Sequence, residues 1–271
     1  MAERLSATVV GGGIAGLTAA VSLAQAGWTV AVLERAPAFG EVGAGLAITR
    51  NGMTALDAIG AGEAVRVAGH ETVGAGIQDP SGRWLMRIPD TPGVRATTTI
   101  WGIHRRRLHA ALLEAAEAAD DVELVTGAEV SAVRPGRAAG EPASVTWHTA
   151  AGPHAAESDL VVAADGVRST VRAQLFPHAH LRYSGSTSWR AVIPDTAADL
   201  GMDAAGRLVQ VWGPGTEFGA LRISDREIYW YGYFRHQEKA SFGRQGPKPR
   251  VAALSANAGS TSPTCSWYRS M

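Results

Sequence analysis

The chain has 271 residues, with 46% hydrophobic and 18% charged content, enough for a sizeable core in one large domain or two interleaved ones. Its 25 basic and 25 acidic side chains give a formal net charge of +0, which removes any electrostatic case for nucleic acid or an anionic membrane surface. The single cysteine, Cys265, excludes an internal disulfide framework and a cysteine metal cluster, and it suits a reducing cytoplasm.

The opening run from Leu5 to Leu33 carries no charged residue. Gly11-Gly12-Gly13 interrupts it where a spanning helix would be continuous, so no transmembrane segment or signal peptide is expected. The run reads instead as a buried βαβ unit: strand Ala7–Val10, helix Ile14–Ala26 stopped by Gly27, and strand Trp28–Leu33 ending at Glu34. The glycines between Gly40 and Gly45 predict a loop, and Asn51–Ile59 predicts a helix capped by Asn51. Val73–Gln78 and Trp84–Ile88 flank the turn Asp79-Pro80-Ser81-Gly82. His104–Ala118 returns to helical spacing through Leu108, Leu112 and Leu113. Short strands are predicted at Val122–Val125, Val130–Val133, Val145–His148 and Leu160–Ala164. An antiparallel sheet follows at Thr187–Ile193, Arg207–Trp212, Phe218–Ile223 and Glu227–Phe234. The aromatics Trp212, Tyr229, Tyr231 and Tyr233 read mostly as packing. His236–Met271 holds one valine and one leucine among Ser, Gly, Pro and Arg, and is expected to be disordered.

Three motifs carry chemistry. Gly11-Gly12-Gly13-Ile14-Ala15-Gly16 fits GxGxxG between a strand and a helix: Gly11 for the turn, Gly13 for backbone approach to a diphosphate, Gly16 for helix–strand packing, with the helix N-terminus facing the anion. Glu34 lies close to the offset of about 20 residues at which an acid binds the nucleotide ribose, and Arg35 beside it is a candidate for stacking near adenine. Arg105-Arg106-Arg107 at a helix start opposes the macrodipole and invites an anion. The strand Leu160–Ala164 then runs into Asp165-Gly166, with Arg168, Ser169 and Arg172 following; Asp165 is either a helix cap or a cofactor ligand.

This second segment resembles the Asp-Gly fingerprint of the FAD-dependent aromatic hydroxylases, the p-hydroxybenzoate hydroxylase-like and salicylate hydroxylase-like flavoprotein monooxygenases. The resemblance covers most of residues 5–235. It implies an α/β fold in which a Rossmann-like FAD-binding βαβ domain (1–72 and 103–180) is interleaved with a smaller antiparallel-sheet substrate domain (73–102 and 181–235). It assigns Asp165 and Gly166 to the ribityl-diphosphate of FAD, with Arg168 nearby. Arg105, three residues before Leu108, takes the position of the family's FAD-contacting arginine. Gly40–Leu46 is similar to the loop passing the flavin ring, which places Gly45 at the cofactor. Arg50 stands where the family commonly has proline. Ser188-Trp189-Arg190-Ala191 resembles a substrate-domain strand, so Arg190 is the one candidate for a catalytic role, against the alternative of an exposed sheet arginine.

The implied activity is that of an NAD(P)H-consuming, FAD-dependent monooxygenase that hydroxylates a small aromatic or other electron-rich substrate with O2 through a flavin C4a-hydroperoxide. Neither nucleic acid nor a metal is expected, and the implied location is cytoplasmic. The family's third fingerprint, a Gly-Asp followed by Ala-x-His, has no match, so the fold is expected to be incomplete and the chain truncated or frameshifted near its end. Two other readings stand beside it: a flavin-linked dehydrogenase or reductase without oxygen transfer, and an inactive FAD-binding fragment.

Overall fold

The computed structural model describes residues 4–40, 43–137, 140–194 and 206–238. Along the chain the elements are β1 (Ser6–Val10), α1 (Ile14–Gln25), β2 (Thr29–Leu33), β3 (Gly45–Thr49), α2 (Arg50–Ala58), α3 (Gly62–Ala68), β4 (His70–Gln78), β5 (Trp84–Arg87), α4 (Pro92–Thr98) and β6 (Thr99–His104). They continue with α5 (Arg105–Glu117), β7 (Val122–Val125), β8 (Glu129–Arg134), β9 (Ala143–Thr149), β10 (Gly152–Ser158), β11 (Leu160–Ala163), α6 (Thr170–Leu175), β12 (Ser186–Pro194), β13 (Leu208–Gly213), β14 (Thr216–Ser224) and β15 (Glu227–Arg235). Two compact units are interleaved in sequence: Met1–Val42, Ala55–Val65 and Arg106–Arg182 form one, and Gly43–Thr54, Arg66–Arg105 and Tyr183–Met271 the other.

The first unit is built on a parallel sheet of order β11-β1-β2-β7. Its strands are apolar on both faces, and alternation sends neighbouring residues into two cores. Val9, Val30 and Val32 pack with Ala20 of α1, while Val10 and Leu33 pack with Ala128, Val145 and Val171. This two-sided burial is why the run from Leu5 to Leu33 contains no charge. Helix α1 buries Gly16, Leu17, Ala20 and Val21, and ends where Gly27 takes a φ of +87°. A three-stranded sheet, β10-β9-β8, belongs to the same unit. Gln174 of α6 pins itself to β8, accepting from Val133 N at 3.1 Å and donating to Ser131 O at 2.6 Å.

The second unit centres on an eight-stranded sheet running β12-β15-β14-β13-β4-β6-β3, with β5 paired to β4. It is mixed and not purely antiparallel, because β13 runs parallel to β4. Strands β14 and β15 again have two faces. Ala220 and Ile228 pack with Phe218 and Trp230, whereas Leu221, Ile223 and Tyr229 pack with Ile100, Val192 and Tyr231.

Several local expectations shift. The chain after Gly45 is a strand, β3, paired antiparallel with β6. Helix α2 begins at Arg50, so Asn51 lies inside it. His104 closes β6 and α5 starts at Arg105. Ser169 is the N-cap of α6, its Oγ accepting from Arg172 N at 2.9 Å, so that helix starts at Thr170. The tail expected to be disordered lies outside the described residues beyond Glu238. His236 N donates to Gly185 O at 2.9 Å.

Candidate functional site

Strand register builds the site. Val10 stands opposite Leu33 on one side and Ala163 on the other. The residues that leave these three strands, Gly11, Glu34 and Ala164-Asp165, therefore emerge together at the carboxyl edge of the parallel sheet, where open α/β sheets bind ligands. Gly11 N donates to Leu33 O at 2.8 Å, and Ala164 N to Val10 O at 2.8 Å. Gly11 has a φ of +102°, and a Cβ there would lie 2.6 Å from Ala164 O and 3.1 Å from Asp165 Cα. The two fingerprints, some 150 positions apart in sequence, are thus backbone neighbours.

Helix α1 starts from Gly13, which is extended (φ −77°, ψ −174°) and supplies no side-chain cap. The first intrahelical bond is Leu17 N to Gly13 O at 2.9 Å, so the N–H groups ahead of it lack helical acceptors. Ala15 is exposed there, and Gly16 is buried against Gly11 O with no room for a side chain. The result is a row of donors at the positive end of a helix dipole, a ready anion site.

Glu34 holds this turn from below. Its Oε2 accepts from Gly12 N at 2.7 Å and its Oε1 from Ala36 N at 2.9 Å. The carboxylate ties the end of β2 to the glycine turn and keeps free lone pairs for a further donor. Arg35 next to it is exposed. On the far strand, Asp165 Oδ2 accepts from Thr170 N at 2.7 Å and Val171 N at 3.1 Å, acting as a cap for α6. Its Oδ1 is buried with no hydrogen-bond partner. Capping and ligand-holding are therefore compatible in this one residue: one oxygen is spent on the helix and the other is not. Gly166 turns the chain at φ +81°, and Arg168 beyond it is exposed.

Sequence reading missed two participants. His109 of α5 is 2% exposed, and its Nε2 lies 2.8 Å from Gly12 O. The Phe39 ring fills the space where a Gly12 side chain would stand. His109 falls on the buried face of α5 with Leu108 and Leu112, the only local signal that it faces inward.

The remaining candidates belong to the second unit. Gly45 opens β3 with the Tyr229 side chain where its Cβ would be, so packing alone already demands glycine. Arg105, the first residue of α5, donates its N–H to Ala44 O at 3.0 Å, and its side chain lies along Gly43. Arg190 is exposed on β12; its Nη2 donates to Tyr233 OH at 2.9 Å, and its guanidinium lies 5.7 Å from that ring's centroid. Tyr231 OH accepts from Gln210 Nε2 at 2.7 Å, and burial pushes its phenol up to about 12. Burial also raises Tyr229. Trp212, grouped with the packing aromatics in the sequence, is instead 45% exposed. Among the described residues there is no cluster of three or more potential metal ligands, and no helix long and apolar enough to cross a membrane.

Comparison with known proteins places this geometry. The family described as FAD binding domain matches residues 4–240. Aurachin C monooxygenase/isomerase from Stigmatella aurantiaca is 37% identical over 232 residues, covering 85% of this chain and 57% of the relative. A 3-hydroxybenzoate 6-hydroxylase from Polaromonas naphthalenivorans is 36% identical, covering 70% of this chain and 46% of its own length. The chain thus spans about half the length of such relatives. Among solved structures, a variant of HpxO from Klebsiella pneumoniae complexed with FAD superposes with a TM-score of 0.78 at 21% identity, over 99% of this chain and 66% of that one. A 2-methyl-3-hydroxypyridine-5-carboxylic acid oxygenase gives 0.71 at 22% identity, over 93% of this chain and 65% of that one. At these identities the likeness speaks for the fold, the α/β arrangement of p-hydroxybenzoate hydroxylase-like FAD-dependent hydroxylases.

Proposed function

This chain belongs to the FAD-binding domain family, and from that premise we propose that it is the FAD-binding part of an NAD(P)H-consuming monooxygenase acting on a small aromatic or other electron-rich ring. The observation that carries the reading is the buried, unpartnered Oδ1 of Asp165 beside the uncapped start of α1. A buried carboxylate oxygen without a donor is costly. A ligand hydroxyl at this edge of the sheet relieves that cost.

The residues present fit FAD. The N–H groups of Gly13, Ile14 and Ala15 would hold its diphosphate, with Gly11 and Gly16 keeping the turn close. Glu34 would accept from the adenosine ribose, and Arg35 would flank the adenine. Asp165 and Gly166 would hold the ribityl side, with Arg168 nearby; the resemblance to the family adds Gly45 and Arg105 as further candidate cofactor contacts. When bound, FAD would supply the redox chemistry that couples NAD(P)H oxidation to the insertion of one oxygen atom from O2 into the substrate. In the second unit, Arg190 with its Tyr233 partner is the candidate polar contact for a phenolic or anionic ring. Relatives named for quinolone and hydroxybenzoate chemistry support an electron-rich substrate ring. A cytoplasmic setting, argued from the single cysteine, would supply the nicotinamide donor and O2.

The test begins with the purified chain and added FAD. Flavin absorbance near about 450 nm that stays with the protein through gel filtration, and NAD(P)H oxidation stimulated by an aromatic substrate with 18O2 label entering the product, are the expected results. A chain that retains no flavin sinks the reading. Flavin retention with NAD(P)H oxidation but no label in any product would instead favour a reductase.

A further inference from the structure

We propose that His109 is a positioning residue for the diphosphate-binding turn, holding the Gly12–Gly13 peptide in the orientation that aims Gly13 N–H at the anion. The inference rests on the FAD reading above and adds a residue outside both fingerprints.

Its basis is the way one residue, Gly12, is fixed from three directions, with His109 acting on the carbonyl of the Gly12–Gly13 peptide. Gly12 N donates to Glu34 Oε2 at 2.7 Å. The Gly12 Cα is walled by the Phe39 ring. The Gly12 carbonyl lies 2.8 Å from His109 Nε2, and because a carbonyl only accepts, that ring nitrogen carries the hydrogen. The described chain has no cis peptide. In a trans peptide the C=O and the following N–H point in opposite directions. Drawing the Gly12 oxygen inward to His109 therefore turns Gly13 N–H away from the core, alongside the N–H groups of Ile14 and Ala15 at the start of α1. Glycines flank this peptide on both sides, so the backbone itself has little preference for that orientation. A buried donor on a rigid helix supplies what the glycines lack. His109 can do this because it lies on the buried face of α5 with Leu108 and Leu112, and at 2% exposure the ring is shielded from solvent.

A purely structural histidine would affect stability; a positioning histidine affects diphosphate affinity. The experiment titrates FAD into the full apo chain, following quenching of flavin fluorescence, for the unaltered protein, His109→Gln and His109→Asn. The Gln amide reaches the position of Nε2, whereas the Asn amide, one methylene shorter, does not. Melting midpoints are recorded alongside to establish that each variant is folded. The expected result is a Kd for FAD within about twofold of the parent in His109→Gln and weakened about tenfold in His109→Asn, the loss fitting one buried carbonyl left without its donor. Equal affinities for parent, Gln and Asn variants overturn the proposal while leaving FAD binding intact. If His109→Asn melts too low to titrate, His109→Phe, which keeps the ring volume without a donor, takes its place and must show the same loss. Failure of the unaltered chain to bind FAD overturns the functional reading itself, and this inference with it.

Discussion

Asp165 uses its two oxygens differently. Oδ2 accepts from two N–H groups of α6, and Oδ1 is buried without a partner. Asp165→Ala is therefore expected to remove a cap worth about 1–2 kcal/mol and also to weaken FAD binding. Urea unfolding gives the first effect and flavin titration the second. A variant that loses stability but binds FAD as tightly as the parent would reduce Asp165 to a helix cap. Tyr231 makes a different prediction. Burial raises its phenol to about 12, partly opposed by the Gln210 hydrogen bond, from an unfolded value of about 10. The folded state then keeps its proton where the unfolded state loses it, so stability present below about pH 10 falls as pH rises toward 12. Tyr231→Phe should show a flatter stability profile across that window. Parallel profiles for parent and variant would falsify the assignment of Tyr231 as a source of alkaline sensitivity.

The parallel pair of β1 and β11 is fastened at its start by Asp159, whose Oδ2 accepts from Ser6 N at 2.8 Å and from Ser6 Oγ at 3.0 Å. The Ser6 N–H, then the Ser6 hydroxyl, hold this carboxyl below the usual carboxylate range. A depressed folded value stabilises above the unfolded value of about 4 and is lost as pH falls through the folded value. Asp159→Asn should thus be less stable than the parent at pH 7, with the gap closing below about pH 4; a gap that persists unchanged in acid counts against the ion's role. At this scale the sequence was informative where burial imposed a pattern. Strands β1, β2, β7 and β11 and helix α1 were legible because both faces of the parallel sheet are buried, leaving long apolar stretches with glycine punctuation. Strand β10 was not, since most of its side chains face solvent and no apolar alternation marks it. Helix α4 (PGVRATT) buries no residue and depends on Pro92 and the Thr91 cap, so no apolar stripe announces it. In the candidate site, the positions of Gly11, Gly16, Glu34 and Asp165 at the carboxyl edge of the parallel sheet were readable from local spacing. His109 was not, because its partner lies 97 residues away and only the tertiary fold brings them together.

Taken whole, the molecule presents its proposed cofactor residues on elements that exist as a site only when folded, so FAD should bind the native state alone. At a free concentration one hundred times its Kd, FAD then adds about 2.7 kcal/mol, a rise of roughly 5–10 °C in melting midpoint for a chain of this size. The rise should grow with the logarithm of FAD concentration in a calorimetric or dye-based melt, and a midpoint indifferent to FAD would contradict native-state binding. The pairing of β1 with both β2 and β11 has a further consequence, during synthesis. The β2 side of β1 can close as soon as Leu33 has left the ribosome, but its other side waits for Leu160–Ala163, and the buried hydroxyl pair Thr8–Ser158 waits with it. Roughly 130 residues of translation separate the two events, on the order of ten seconds at typical elongation rates. For that interval the nascent chain carries an apolar strand with an unsatisfied edge, a template for mispairing. Yield of folded protein should therefore respond more to chaperone supply and growth temperature than equilibrium stability alone would suggest.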